Sequence, residues 1–242
     1  MPDKRSHRGP DPQDAKLFAK QHLGRLQEAV FDMNWLLSRG YAEKSGLKLV
    51  GDRYRLTERQ RTAVMRCACS QQQRRKRKHS EVSAKDLSGR PVALDGYNVL
   101  ITVEAALSGA VLFKGADGCI RDLAGIHGTY RKVEETLPAI GCIKEALERL
   151  GVQDVLWLLD SPVSNSGRLK QLIGEWTDRD NLKWQVQLAQ NPDKALITTD
   201  RIILSSDSAV LDRCGHWFNF IAYVLCELPG PPAGPWLIDL SG

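Results

Sequence analysis

Three apolar runs along the chain end in an aspartate. Residues 92–95 (VALD), 155–160 (VLWLLD) and 202–207 (IILSSD) are aliphatic and β-branched with little polar alternation, as strands buried on both faces of a parallel sheet are. Residues 184–188 (WQVQL) alternate instead and predict a further strand between the last two. Elsewhere the period shifts to that of a helix. Val133, Leu137, Ile140, Ile143, Leu147 and Leu150 share one helical face, with Pro138 a point of kink or restart. Further helices are expected over 168–176, 192–197 and 207–215. Strands alternating with helices in this way predict an α/β layer architecture with a parallel sheet of four to five strands. Residues 102–128 fit no single pattern, and the Pro/Gly-rich segment from Pro229 is expected to be loosely held.

The front of the chain follows a different pattern. Leu17, Phe18, Leu23, Leu26, Val30, Met33, Leu36 and Leu37 recur at three- and four-residue steps, so residues 11–39 read as helix with Gly24 a candidate break. Residues 47–56 predict a short extended segment turning at Gly51 and Asp52. Thr57 and Gln60 then form a capping box for a helix over 57–67. Residues 71–79 (QQQRRKRKH) hold five consecutive cations, Arg74, Arg75, Lys76, Arg77 and Lys78, and read as a solvated linker or exposed helix end that contacts phosphate backbone. The expected organisation is a helical basic N-terminal domain (1–80), a linker (81–90), an α/β domain (91–228) and a tail (229–242).

Charge sharpens that division. Residues 1–90 carry 21 Lys and Arg against 10 Asp and Glu, a net of +11, while the remainder carries 13 against 19, a net of −6. A basic front suits a polyanion, and an acidic back suits a metal. No stretch approaches the roughly 18 apolar residues of a membrane span, so no membrane partner is expected and the expected address is the cytoplasm. The six cysteines are too irregularly spaced for a disulfide framework. Cys67 and Cys69 with His79 match no common zinc spacing.

Three strands that end in aspartate at one edge of an open sheet place Asp95, Asp160 and Asp207 in the crevice where such folds bind ligands. Crowded carboxylates repel one another unless a cation lies among them, and hard oxygen donors suit Mg²⁺ or Mn²⁺. A metal-dependent phosphoryl-transfer or nuclease site is the expectation. The plain alternative at Asp160 and Asp207 is an N-cap.

Asp95, Gly96, Tyr97 and Asn98, with Ser206, Asp207 and Asp212 downstream, give residues 91–228 a resemblance to PIN-like domains of the NYN type, which are metal-dependent ribonucleases. The chain also resembles a prokaryotic family (domain of unknown function 434) at residues 35–42, 47–52, 56–60, 95–100, 126–130, 160–167 and 191–194. The PIN-like resemblance implies Asp95, Asp160, Asp193 and Asp207 as ligands of Mg²⁺ or Mn²⁺, Asn98 as a polar support, and Asp212 as an outer or second-metal group. It departs from the pattern at Asp193, where Lys194 replaces an expected second acid. Asp200 lies at the wrong end of its strand. The implied chemistry is hydrolysis of an RNA phosphodiester, with Ser161, Ser164, Asn165 and Ser206 orienting water or phosphate, and Arg168 and Lys170 holding the strand. The RNA preference comes from this resemblance alone. His127 is a candidate acid or phosphate contact, or a loop histidine satisfied by backbone. A non-catalytic RNA-binding or ribosome-associated protein stays open, as does a homodimer. A phosphatase would show an Asp-x-Asp motif or a phosphate-cradling glycine loop, and neither is present.

Overall fold

The computed structural model describes residues 7–124, 128–228 and 235–242. Helix α1 (Asp14–Leu17) gives way at Ala19 to α2 (Lys20–Ser38), so the helical front divides earlier than Gly24. Helices α3 (Glu43–Arg53), α4 (Glu58–Cys67) and α5 (Gln71–Ser80) follow. The extended segment expected over 47–56 is therefore mostly helix. Gly51 serves packing rather than a turn: a Cβ there would stand 2.0 Å from the Arg61 guanidinium, which crosses α3 at that point. That guanidinium donates to the carbonyls of Leu47, Lys48 and Leu56 and to the Asp52 carboxylate, tying α4 across α3. Both α4 and α5 begin with reciprocal capping boxes, Thr57 with Gln60 and Ser70 with Gln73, so the cationic run is helix rather than linker.

A 3₁₀ turn (Ala84–Asp86) leads into β1 (Val92–Asp95), α6 (Gly96–Leu107), β2 (Val111–Lys114) and β3 (Ile120–Arg121). Next come α7 (Thr136–Arg149), β4 (Val155–Asp160), α8 (Ser166–Arg179) and β5 (Trp184–Ala189). The chain ends through α9 (Pro192–Thr198), β6 (Ile202–Leu204), α10 (Ser208–Leu211), β7 (Trp217–Phe218), α11 (Phe220–Cys226) and β8 (Trp236–Asp239). Pro138 lies in the first turn of α7, where its missing N–H costs nothing, so it starts the helix rather than kinking it.

Five strands form a parallel sheet in the order β5-β4-β1-β6-β7. The central strand pairs on both sides, Val92 with Val155 and with Ile202. Leu94, Leu100, Ile140, Ile143, Trp157 and Val224 build the core between one face and α6, α7 and α11. Ala93, Leu158, Ile203, Leu196, Val210 and Trp217 fill the other face beneath α9 and α10. Covered on both sides, the central strands have no room for polar alternation.

A second sheet, β3-β2-β8, carries the helical N-terminal region: Val111, Phe113, Ile238 and Leu240 pack against Leu26, Val30 and Val64. The tail is not loose where it is described. Residues 236–239 pair in parallel with β2, and Leu240 is buried, because the open flank of β2 offers unpaired backbone and an apolar bed. Residues 229–234 lie outside the described residues. Among the described residues no helix is long and apolar enough to cross a membrane.

Candidate active site

Strand β1 delivers Asp95 to the C-terminal edge of the sheet, where its side chain is 8% exposed. The Ser205 hydroxyl, just past β6, donates to its Oδ2 at 2.8 Å. One turn into α6, the Asn98 amide oxygen accepts from the Ser206 backbone N–H at 2.8 Å and from the Ser206 hydroxyl at 3.0 Å. Asn98 thus fixes the β6–α10 loop onto the start of α6. That loop carries Asp207, whose N–H donates to Ser205 Oγ at 3.0 Å and whose Oδ1 caps α10 through the Ala209 and Val210 N–H groups at 2.8 and 3.1 Å. The expected N-cap role of Asp207 is thus real, and it engages only one oxygen. On the other flank of β1, half-buried Asp160 ends β4. Exposed Asp193 opens α9, which Asn191 caps through the Lys194 N–H at 2.9 Å.

Electrostatics ties the four acids together. Burial pushes the Asp95 carboxyl up to about 7, the Ser205 hydrogen bond opposes this, and the charges of Asp207 and Asp193 add to it. Burial and then Asp193 raise Asp160; burial and then Asp207 raise Asp193, with Arg213 opposing. Among the described residues none of the four carboxylates forms an ion pair with Lys, Arg or His. They do not close into a cage either: among the described residues no three His, Cys, Asp or Glu side chains converge closely enough to enclose a metal ion. Sheet geometry accounts for this, since β4 and β6 flank β1 and so stand two interstrand spacings, about 10 Å, apart. Asp95, Asp160 and Asp193 are raised in pKa, and the donors at this edge are all oxygen, the kind that Mg²⁺ and Mn²⁺ take.

Two other expected residues lie elsewhere. Asp212 accepts from Arg77 Nε and Gln73 Nε2, each at 2.7 Å, so it binds α5 and is not an outer metal group. Arg77 is 2% exposed and also pairs with Asp117 at 2.5 Å, so it does not face a nucleic acid. Its four neighbours in the run, Arg74, Arg75, Lys76 and Lys78, are exposed, Lys78 reaching Glu81 at 2.9 Å. Arg168 and Lys170 are exposed on the first turns of α8, past the loop that follows β4. Ser164 donates its N–H to the Gly128 carbonyl, and Asn165 holds the Tyr130 carbonyl at 2.9 Å. His127 lies outside the described residues. Cys67 and Cys69 are buried, their thiols pushed up to about 12 and about 11 by desolvation.

Three further groups carry no signal in the sequence. Ser205 is the direct partner of Asp95. Arg121 is buried, pairs with Asp117 through two hydrogen bonds at 2.9 and 2.6 Å, and donates its Nε to the Ser206 carbonyl at 2.7 Å, holding the Asp207 loop from beneath. Asp117 thereby joins Arg121 to Arg77, and through it α5 to the site. Arg77 also reaches the Ser208 carbonyl at 3.4 Å, which sets the cationic helix beside α10.

Residues 84–223 match the model of a family described as a domain of unknown function (DUF5616), and residues 25–79 match a protein of unknown function (DUF434). The similarity to the second family thus covers the helical front, while the sheet has a family model of its own. An uncharacterized protein of Methanocaldococcus jannaschii is 28% identical over 186 residues, covering 77% of this chain and 88% of that protein. No solved structure matches.

Proposed function

The chain belongs to the family described as domain of unknown function DUF5616, and we propose that it is a divalent-metal-dependent phosphodiesterase, a ribonuclease of PIN-like, NYN-type character working in the cytoplasm. One observation carries this reading: four carboxylates stand on adjacent elements of one sheet edge without an ion pair among the described residues, and burial together with neighbouring acids raises Asp95, Asp160 and Asp193. A purely structural role gives no reason to maintain that arrangement.

In this reading Asp95, Asp160, Asp193 and Asp207 hold Mg²⁺ or Mn²⁺. The ion would supply Lewis acidity and offset charge on the phosphate oxygens. Ser205 orients Asp95, Asn98 and Arg121 fix the loop of Asp207, and the Asp207 N-cap keeps one oxygen committed to α10 and the other toward the ligand. Arg74, Arg75, Lys76 and Lys78 on α5, with Arg168 and Lys170 on α8, bind the phosphate backbone without reading sequence. RNA as the substrate follows from the resemblance to NYN-type domains.

Asp95→Asn and Asp207→Asn are each expected to abolish cleavage of a varied RNA panel in Mg²⁺ or Mn²⁺ while leaving far-ultraviolet circular dichroism unchanged. The wide spacing of the acids and the exposure of Asp193 favour a second reading, a non-catalytic RNA-binding protein. Tight RNA binding by the wild type with no divalent-dependent cleavage decides for it.

A further inference from the structure

Among the described residues, four buried side-chain polar atoms have no hydrogen-bond partner, and two of them belong to residues close in the chain to the strand-end aspartates. One is the hydroxyl of Ser161, the residue after Asp160. The other is the phenol of Tyr97, 4% exposed, in the first turn of α6 between Asp95 and Asn98.

Its position is tightly held. A Cβ on Gly96 would stand 2.8 Å from the Leu158 carbonyl oxygen and 2.4 Å from the Leu159 side chain, so the start of α6 lies directly against the end of β4. On the other side the Tyr97 ring meets that of Tyr130 at 5.3 Å. The two phenols then differ. Tyr130 donates to Glu104 at 2.6 Å, whereas Tyr97 donates to no residue. A tyrosine phenol keeps its proton at neutral pH, so the hydroxyl is a donor there.

The remaining groups at this edge explain what such a donor is for. Ionised, as a bound cation keeps them, the carboxylates are acceptors only, and the Ser205 and Ser206 hydroxyls are committed to Asp95 and Asn98. A phosphodiester entering this crevice brings two anionic oxygens, and an uncommitted neutral donor meets one of them without competing for the cation. We propose that the Tyr97 hydroxyl is a phosphate-binding group of this site, donating to a non-bridging oxygen of the nucleic-acid backbone. The assignment rests on the phosphodiesterase reading above. It adds the prediction that the hydroxyl serves the ligand at the expense of the fold, because a buried unpaired donor destabilises the protein that keeps it.

Tyr97→Phe separates the two effects. The metal-free variant is expected to melt at the same temperature as the wild type or higher. In Mn²⁺ its KM for a single-stranded RNA oligonucleotide is expected to rise about tenfold with kcat within about twofold, the size of one hydrogen bond to a charged oxygen. A binding readout needs no turnover: in the Asp95→Asn background, adding Tyr97→Phe is expected to weaken binding of a labelled oligonucleotide about tenfold by fluorescence anisotropy. Unchanged binding and KM, or a lower melting temperature, overturns the assignment and shows a hydroxyl satisfied by solvent within the fold. Loss of cleavage in Asp95→Asn with unchanged kinetics in Tyr97→Phe overturns this inference alone. A wild type that neither cleaves nor binds the oligonucleotide overturns the phosphodiesterase reading and this inference with it.

Discussion

Asp95 makes the metal-free protein pH-sensitive in a direction that can be worked out. Its carboxyl titrates near 7 in the folded chain against 3.8 for the free side chain. Between those values the folded state keeps a proton that the unfolded state has released. Stability therefore falls as pH rises through this window and levels off above about 7. At about 1.4 kcal/mol per pH unit the full shift is a ceiling of about 4 kcal/mol, of which about 2.5 kcal/mol falls between pH 5 and pH 8. Asp95→Asn removes the ionisation while leaving an oxygen for the Ser205 hydroxyl. Urea unfolding in the presence of a chelator, at pH 5 and pH 8, measures the effect as the difference between wild type and variant, which cancels the titrating groups not coupled to Asp95. The wild type is expected to lose about 2 to 3 kcal/mol relative to Asp95→Asn across that interval. Mn²⁺ is expected to restore most of this loss at pH 8, since a bound cation favours the ionised carboxylate. Parallel pH profiles for the two proteins would refute the claim that burial and neighbouring acids strain Asp95.

The sheet edge was legible because a strand buried on both faces leaves a continuous apolar run, and the residue that ends it is fixed in place. Asp95, Asp160 and Asp207 could thus be assigned to one edge from sequence, while Asn98 came from the resemblance to PIN-like domains. The sequence was silent wherever a side chain's partner is distant. Arg77 looks like its cationic neighbours, and only its burial against Asp117, 40 residues on, distinguishes it. The resemblance implied Asp212 as a site residue, yet the turn of α10 aims it at α5. The second sheet was hidden for another reason. Its strands of four, two and four residues are too short to show a period, and its third member follows a Pro/Gly-rich segment. Gly51 misled in the same way, since a glycine needed for the passage of Arg61 looks in sequence like a glycine needed for a turn.

Gly96→Ala is expected to destabilise the protein by about 1 to 3 kcal/mol in urea unfolding and to lower activity with it, because its Cβ would meet the Leu158 carbonyl at 2.8 Å. The cationic helix α5 should divide into two kinds of residue. Changing Arg74, Arg75, Lys76 and Lys78 together to Gln is expected to weaken RNA binding and reduce the slope of log affinity against log salt by about 3, with stability changed by less than about 1 kcal/mol. Arg77→Gln is expected to do the reverse. It leaves Asp212 and the buried Asp117 each without one cationic partner, and removing one member of a buried pair costs about 3 to 5 kcal/mol, while the salt slope stays as in the wild type. The loss should also reach the site, since Asp117 binds the Arg121 that holds the Ser206 carbonyl. A shallower salt slope with unchanged stability in Arg77→Gln would return this arginine to the nucleic-acid surface and remove the buried network as the link between α5 and the loop of Asp207.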